Sequence, residues 1–206
     1  MNGLFISEHG PLVVLMDSAE TGKLLYSKLD GKCSILCCPA SDWNREMTPW
    51  PAPGLRKGQE AFGGGAEAFL ASVLNALPAA MAELPEKPEK VYLMGYSLGG
   101  LFSLWAGTKT DVFSGVASVS GSLWYDGWTD YLAAHPCLSR RVYLSLGEKE
   151  PLTKDPRMQA VGDATLRSEA LLKEQGREVF FRWHNGGHFT EPISRMDAAL
   201  RWFLEN

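Results

Sequence analysis

Apolar and polar positions follow two different spacings along this chain, and the changes between them predict its elements. Short runs that are apolar at nearly every position fall at Leu12–Met16, Ser34–Cys38, Val91–Gly95, Gly115–Val119, Val142–Leu146 and Val179–Trp183. Runs of this length, rich in Val, Leu and aromatic residues, predict strands covered on both faces. Leu4–Ser7 reads as an added edge strand, antiparallel to Leu12–Met16. Between the strands the apolar spacing changes to three and four. Leu70, Val73, Leu74, Leu77, Met81 and Leu84 make one face of a long helix starting near Gly65, bent or interrupted at Pro78. Further helices are expected over Leu98–Thr108, over Met158–Gln175 with Gly176 as its stop, and over Ile193–Leu204. In the last, Ile193, Met196, Leu200 and Phe203 face the sheet. Such alternation predicts an α/β fold: a mostly parallel central sheet of six to seven strands, helices on both faces, and right-handed crossovers.

At 206 residues and 45% hydrophobic content, the chain suits one domain over residues 1–206, with no internal repeat. No stretch approaches the roughly 20 apolar residues that cross a bilayer. The first residues show neither a basic start nor a long apolar region, so the expected location is cytoplasmic and no membrane partner is expected. A net charge of −4 with both signs mixed argues against nucleic acid. Cys33, Cys37, Cys38 and Cys137 show no C-x-x-C spacing, and the first three flank or fill an apolar run. They read as buried thiols rather than a disulfide framework or metal site.

The chemistry enters with Gly95-Tyr96-Ser97-Leu98-Gly99-Gly100, where an apolar strand gives way to a helix. A serine on so tight a turn projects its hydroxyl out of the sheet. Glycines two residues before and after it let the backbone cross where a Cβ would clash. This is the G-x-S-x-G nucleophile elbow of α/β-hydrolases in its strand–turn–helix setting, and Ser97 is the candidate nucleophile.

A serine hydroxyl needs a base within hydrogen-bond reach. Of the four histidines, His188 lies in Asn185-Gly186-Gly187-His188-Phe189, the loop between the last strand and last helix. That loop opens at the same sheet edge as the elbow, where ligands bind in open α/β sheets. His188 is therefore the candidate base. His184 and His188 have H-x-x-x-H spacing, but Asn-Gly-Gly intervenes and no Glu follows the first, so no metal is expected. The acid should follow the penultimate strand. In Gly147-Glu148-Lys149-Glu150 the fourth position points back toward the histidine loop, which favours Glu150 over Glu148, with Asp126 a further alternative. Ser97, Glu150, His188 is the chain order of α/β-hydrolases.

For the oxyanion, the N–H of Leu98 is one donor, and the backbone of Ser18 or Ala19 after Leu12–Met16 is the expected second. Trp43, Trp50, Trp124, Tyr125 and Trp128 fall in loops near this edge. Trp43, Trp124 and Tyr125 are the expected substrate contacts. The Pro-, Trp- and Gly-rich connection 42–64 is expected to be an ordered loop near the site. Gly63-Gly64-Gly65 lacks the Lys-Ser/Thr of a phosphate loop and reads as a joint into the long helix.

The elbow, Asn44-Arg45-Glu46-Met47-Thr48-Pro49 and Gly63-Gly64-Gly65-Ala66-Glu67-Ala68-Phe69-Leu70 resemble the Putative esterase family, which includes esterase D and siderophore esterases. Ser118-Val119-Ser120-Gly121-Ser122-Leu123-Trp124-Tyr125, Gly147-Glu148-Lys149-Glu150-Pro151 and Gly186-Gly187-His188 are most similar to the siderophore esterase branch. The resemblance implies an α/β-hydrolase fold and hydrolysis of a small-molecule carboxylic ester, with Ser97, Glu150 and His188 in the matching positions and no cofactor. Only about 20 residues follow Val119 before the next strand, too few for a large lid. Acyl transfer by the same residues and an inactive binding scaffold are the competing expectations.

Overall fold

A computed structural model of the chain describes residues 3–56 and 58–205. Met1, Asn2, Lys57 and Asn206, which the one-domain reading includes, lie outside the described residues. The chain runs β1 (Leu4–Phe5), β2 (Leu12–Met16), α1 (Ala19–Tyr26), β3 (Ser34–Cys37), α2 (Trp43–Glu46), β4 (Pro51–Ala52), β5 (Phe62–Gly63) and α3 (Ala66–Ala82). It continues through β6 (Val91–Tyr96), α4 (Leu98–Ala106), β7 (Gly115–Val119), α5 (Trp128–Ala134), β8 (Arg141–Gly147) and a 3₁₀ turn (Glu150–Leu152). α6 (Pro156–Gln159), α7 (Val161–Glu174), β9 (Glu178–His184) and α8 (Pro192–Glu205) complete it.

Seven strands form one sheet in the order β1-β3-β2-β6-β7-β8-β9, parallel except for β1. This is the α/β-hydrolase fold. After β3 the chain crosses to the far side of β2 and winds the other way, so its helices change face. The two-residue period of the strands sorts the core accordingly. Leu12, Val14, Met16, Leu93, Val116, Val142 and Leu144 pack under α3, α4, α5 and α7. Val13, Leu15, Tyr92, Met94, Ala117 and Tyr143 pack under α1 and α8. The order reverses between β2 and β6, and at such a reversal the strand ends leave an open crevice. Ser97 follows β6 directly.

Four expectations change. β1 pairs with β3, not β2: Leu4 stands opposite Leu36 and Phe5 opposite Ile35. The parallel crossover through α1 has already placed β3 on that side of β2, which leaves β3 as the open edge. β9 is not covered on both faces: it ends the sheet, with Phe180 and Trp183 each 40% exposed. α3 runs unbroken through Pro78, because burial of Leu70, Val73, Leu77 and Ala80 outweighs one missing N–H donor. The helix expected over Met158–Gln175 is two, α6 and α7, started by Asp155, whose carboxylate accepts from the Arg157 and Met158 N–H groups. Gly176, at φ +76°, follows α7.

Candidate active site

The elbow is built from contacts only glycine permits. A Cβ on Gly95 would lie 2.2 Å from the Gly99 carbonyl oxygen, and one on Gly100 2.9 Å from the Gly121 Cα. Ser97 itself takes φ 59°, ψ −124°, a region costly for any L residue. Its backbone is bolted there. The N–H donates to Val119 O at 3.1 Å, and its carbonyl accepts from Gly100, Leu101 and Ser122 N–H at 3.0–3.1 Å. All nine residues of the following α4 are buried, so the turn rests on a rigid support. Leu98 is the first residue of that helix, and its N–H has no partner within it.

Around Ser97 the structure brings together residues distant in sequence. Ser97 Oγ lies 3.0 Å from His188 Nε2, and His188 Nδ1 lies 2.7 Å from Glu150 Oε2. The other carboxylate oxygen, Glu150 Oε1, accepts from Gly147 N–H at 2.7 Å and from Arg195 Nη1 at 2.9 Å. Burial by itself pushes the Glu150 carboxyl upward, but hydrogen bonds from His188 and from the Gly147 N–H, with the nearby imidazole charge, hold it below the ordinary glutamate value. It is therefore an anion at neutral pH, suited to orient a ring and steady an imidazolium. The His188 loop is held from below as well: Tyr96 Oη donates to the His188 carbonyl at 2.5 Å.

The alternatives for the acid stand elsewhere. Glu148 is exposed, and Asp126 is held by Arg157 Nη2 at 2.9 Å and Nε at 3.2 Å. His184 keeps a buried Nε2 with no partner among the described residues. Burial, then the charges of Arg195 and Arg182, lower its pKa to about 4. His9 lies at the opposite sheet edge beside Glu86, and His135 stacks on Tyr131. Among the described residues no group of three or more His, Cys, Asp or Glu could hold a metal ion. All four thiols are free, and burial raises that of Cys33 to about 12.

Ser97 opens into a cleft of about 380 Å³ walled by Trp43, Leu55, Phe62, Trp124, Met158 and Phe189, with Leu98 and Ser122 at its base. The 42–64 connection supplies one wall, as its composition suggested. Asn44, Gln59 and Glu60 add polar groups from the same segment. Phe189, beside His188, is 89% exposed. Trp43 and Trp124 are on the walls, but Tyr125 is not. It is 2% exposed, its hydroxyl donates to Trp50 O, and its ring meets Phe62 edge-on. Tyr125 is a core residue because the turn after β7 directs it inward while its neighbour Trp124 faces the cleft. Trp128 is likewise buried, its Nε1 donating to Ser168 Oγ at 3.0 Å. Trp50 packs against Tyr125 and Tyr131.

Ser18 and Ala19 are not among the cleft walls either. The Ser18 hydroxyl caps α1 by accepting the Thr21 N–H at 3.2 Å, and its own N–H donates to Asp17 Oδ1 at 2.6 Å. A serine directly before a helix is an N-cap by preference; the cap uses its hydroxyl, while the Ser18 N–H expected to face an oxyanion is taken by Asp17 Oδ1. Gly63-Gly64-Gly65 is a joint: the N–H groups of Gly64, Gly65 and Ala66 donate to Thr48 Oγ1, Arg45 O and Thr48 O. Sequence reasoning passed over Ser122, whose Oγ lies 3.4 Å from Ser97 Oγ, and Arg195. Arg195 sits within the apolar face of α8, one residue before Met196, and a charge at such a position was the available signal.

Fold and site together define an ester hydrolase of the α/β-hydrolase kind. The profile of the Putative esterase family matches residues 17–199, and the chain belongs to that family. A search of curated protein sequences finds no match. Among solved structures, an IroE-like serine hydrolase from Shewanella oneidensis superposes with a TM-score of 0.80 at 18% identity, covering 96% of this chain and 71% of that one. The siderophore hydrolase EstA from Aspergillus nidulans gives 0.73 at 15% identity, over 97% of this chain and 83% of the other. The enterochelin esterase from Shigella flexneri gives 0.71 at 19% identity, over 98% of this chain and 53% of the other. At these identities the likeness is one of fold.

Proposed function

We propose that this chain is a serine carboxylesterase that works through an acyl-enzyme on small or siderophore-like esters, with residues 1–206 as one hydrolase domain. The observation that carries the reading is the continuous path from Ser97 Oγ through the imidazole of His188 to Glu150, at 3.0 and 2.7 Å. It lies in an open cleft, beside the first amide of α4.

Ser97 Oγ attacks the ester carbonyl while His188 Nε2 takes its proton. Glu150, accepting from Nδ1–H, fixes the tautomer and balances the imidazolium. The Leu98 N–H is one donor to the tetrahedral oxyanion. His188 returns the proton to the departing alcohol, and water repeats the sequence to free the acid. Every step uses side chains and backbone of this chain, so no metal or organic cofactor enters. The aromatic walls at Trp43, Trp124 and Phe189 suit an aryl or acyl group laid across an open cleft. Siderophore-like esters enter the proposal because two similar folds belong to a siderophore hydrolase and an enterochelin esterase.

The test is a panel of short acyl, aryl and trilactone esters, with Ser97→Ala as blank and an added alcohol as competing acceptor. Turnover of at least one class, falling on the order of 10⁴-fold or more in Ser97→Ala, is expected. Wild-type turnover in Ser97→Ala removes the nucleophile. Transfer to the alcohol in place of hydrolysis makes the chain an acyltransferase.

A further inference from the structure

Arg195 is 1% exposed, a burial that a guanidinium tolerates only when fully paired. Nη1 donates to Glu150 Oε1 at 2.9 Å, to Ser120 Oγ at 2.8 Å and to Tyr96 Oη at 3.4 Å. Nη2 donates to Asn185 O at 3.0 Å and Gly187 O at 2.8 Å. From α8, one planar group thus reaches the ends of β6, β7, β8 and β9. Those four strand ends carry Ser97, Ser122, Glu150 and His188. The chain makes room for it: a Cβ on Gly147 would lie 2.8 Å from Arg195 Nη2.

We infer that Arg195 is the positioning residue of this site, a clamp that fixes the Glu150 carboxylate and the His188 loop in register with Ser97. The inference rests on the reading under Proposed function. Its physical basis is the freedom that would otherwise remain. Glutamate has one more torsion than aspartate, and binding His188 through Oε2 alone leaves the carboxylate able to turn. Pinning Oε1 with Arg195 and the Gly147 N–H removes that rotation. The histidine loop contains Gly186, at φ +87°, and Gly187, which lend it mobility. Two bonds from one guanidinium to carbonyls three residues or fewer from His188 oppose it. A lysine would deliver the charge but not the fork.

Arg195 also places a positive charge behind the pair, which works against a second one forming on the imidazole. The other titratable or charged groups near the pair are Tyr96 from β6, His184 and Arg182 from β9, and Lys149 beside Glu150. None of them contacts the carboxylate as Arg195 does in the described structure.

The experiment compares Glu150→Gln, Arg195→Met, Arg195→Lys and the double variant Glu150→Gln/Arg195→Met. It measures kcat and KM for p-nitrophenyl acetate and the pH profile of kcat/KM, with circular dichroism as the check on folding. Arg195→Met is expected to lower kcat by about 10²-fold through misplacement of the base, with little change in KM. Its acidic limb should move to higher pH. Arg195→Lys should leave that limb in place and recover only part of kcat. Arg195→Met strands a buried carboxylate and can fail to fold, whereas the double variant removes both charges. Because part of the clamp acts through Glu150 and part through the loop carbonyls, the folded double variant loses clearly less than the full 10²-fold or so relative to Glu150→Gln. Wild-type kcat and an unmoved limb in folded Arg195→Met would overturn the inference, as would a double variant that loses a further 10²-fold or so. Wild-type turnover in Glu150→Gln would instead overturn the triad reading, and the clamp with it.

Discussion

Ser97 holds φ 59°, ψ −124°, where a Cβ costs about 1–3 kcal/mol and glycine almost nothing. That strain can be measured without reference to catalysis by comparing Ser97→Gly with Ser97→Ala. Both variants lose the hydroxyl contacts to His188 at 3.0 Å and Ser122 at 3.4 Å, so those losses cancel in the comparison. What remains is the relief of strain, offset by about 0.4–1 kcal/mol for the greater freedom of unfolded glycine. The glycine variant should be more stable than the alanine variant by about 1 kcal/mol, an advantage of roughly 2–4 °C in Tm for a chain of this size. Thermal unfolding by circular dichroism and calorimetry, at one pH and with reversibility checked, reads it directly. The four hydrogen bonds to the Ser97 backbone persist in both variants, so the comparison isolates the Cβ. An alanine variant that melts at or above the glycine variant would refute the claim that the elbow stores strain at Ser97.

Other expectations concern the groups around it. Glu150→Gln should lower kcat by about 10³–10⁴-fold, while Glu148→Gln, on an exposed side chain, should leave it near wild type; ester kinetics giving the reverse order would reassign the acid. Gly95→Ala should abolish soluble expression or sharply lower Tm, since its Cβ meets the Gly99 backbone at 2.2 Å, whereas Gly187→Ala, with nothing within 4 Å, should fold normally. His184, with a folded pKa lowered to about 4, binds its proton later than the unfolded chain, which titrates near the ordinary histidine value of roughly 6.5. Between those values the unfolded state holds more protons, so stability present above pH 6.5 or so is lost as pH falls toward 4, by about 1–2 kcal/mol after discounting for partial exposure. Tm measured across that range should flatten in His184→Gln; an unchanged slope would contradict it. Phe189→Ala should raise KM for aryl esters while leaving kcat for a short acetyl ester near wild type, and equal effects on both substrates would remove Phe189 as a specificity wall.

The parts legible in sequence were those with local causes. A glycine two residues either side of Ser97 is demanded by backbone crossing at the turn, and the structure puts the Gly95 and Gly99 backbones in that contact. The strand ends around it follow from apolar runs, and the loop holding His188 from the order of elements. What escaped the reading depends on contacts between distant segments. Arg195 shares the buried face of α8 with Met196 and Ala199 and is buried because four strand ends present acceptors to it. Tyr125 and Trp124 are adjacent aromatics with opposite fates: both meet Phe62, but Tyr125 packs on Trp50 and donates to its carbonyl. From sequence the Ser18 N–H is expected to face an oxyanion, and only its bond to Asp17 Oδ1 shows which group it meets. β1 went to β3 because edge choice is a property of the whole sheet.

The most direct test of the central claim is the rate and position of labelling by a fluorophosphonate in wild type, Ser97→Ala and His188→Ala, followed by peptide mass mapping. The account predicts a single adduct on the peptide carrying Ser97, absent in Ser97→Ala and slowed on the order of 10³-fold in folded His188→Ala. An adduct on another residue, or labelling of Ser97 that proceeds undiminished without the imidazole, would contradict it.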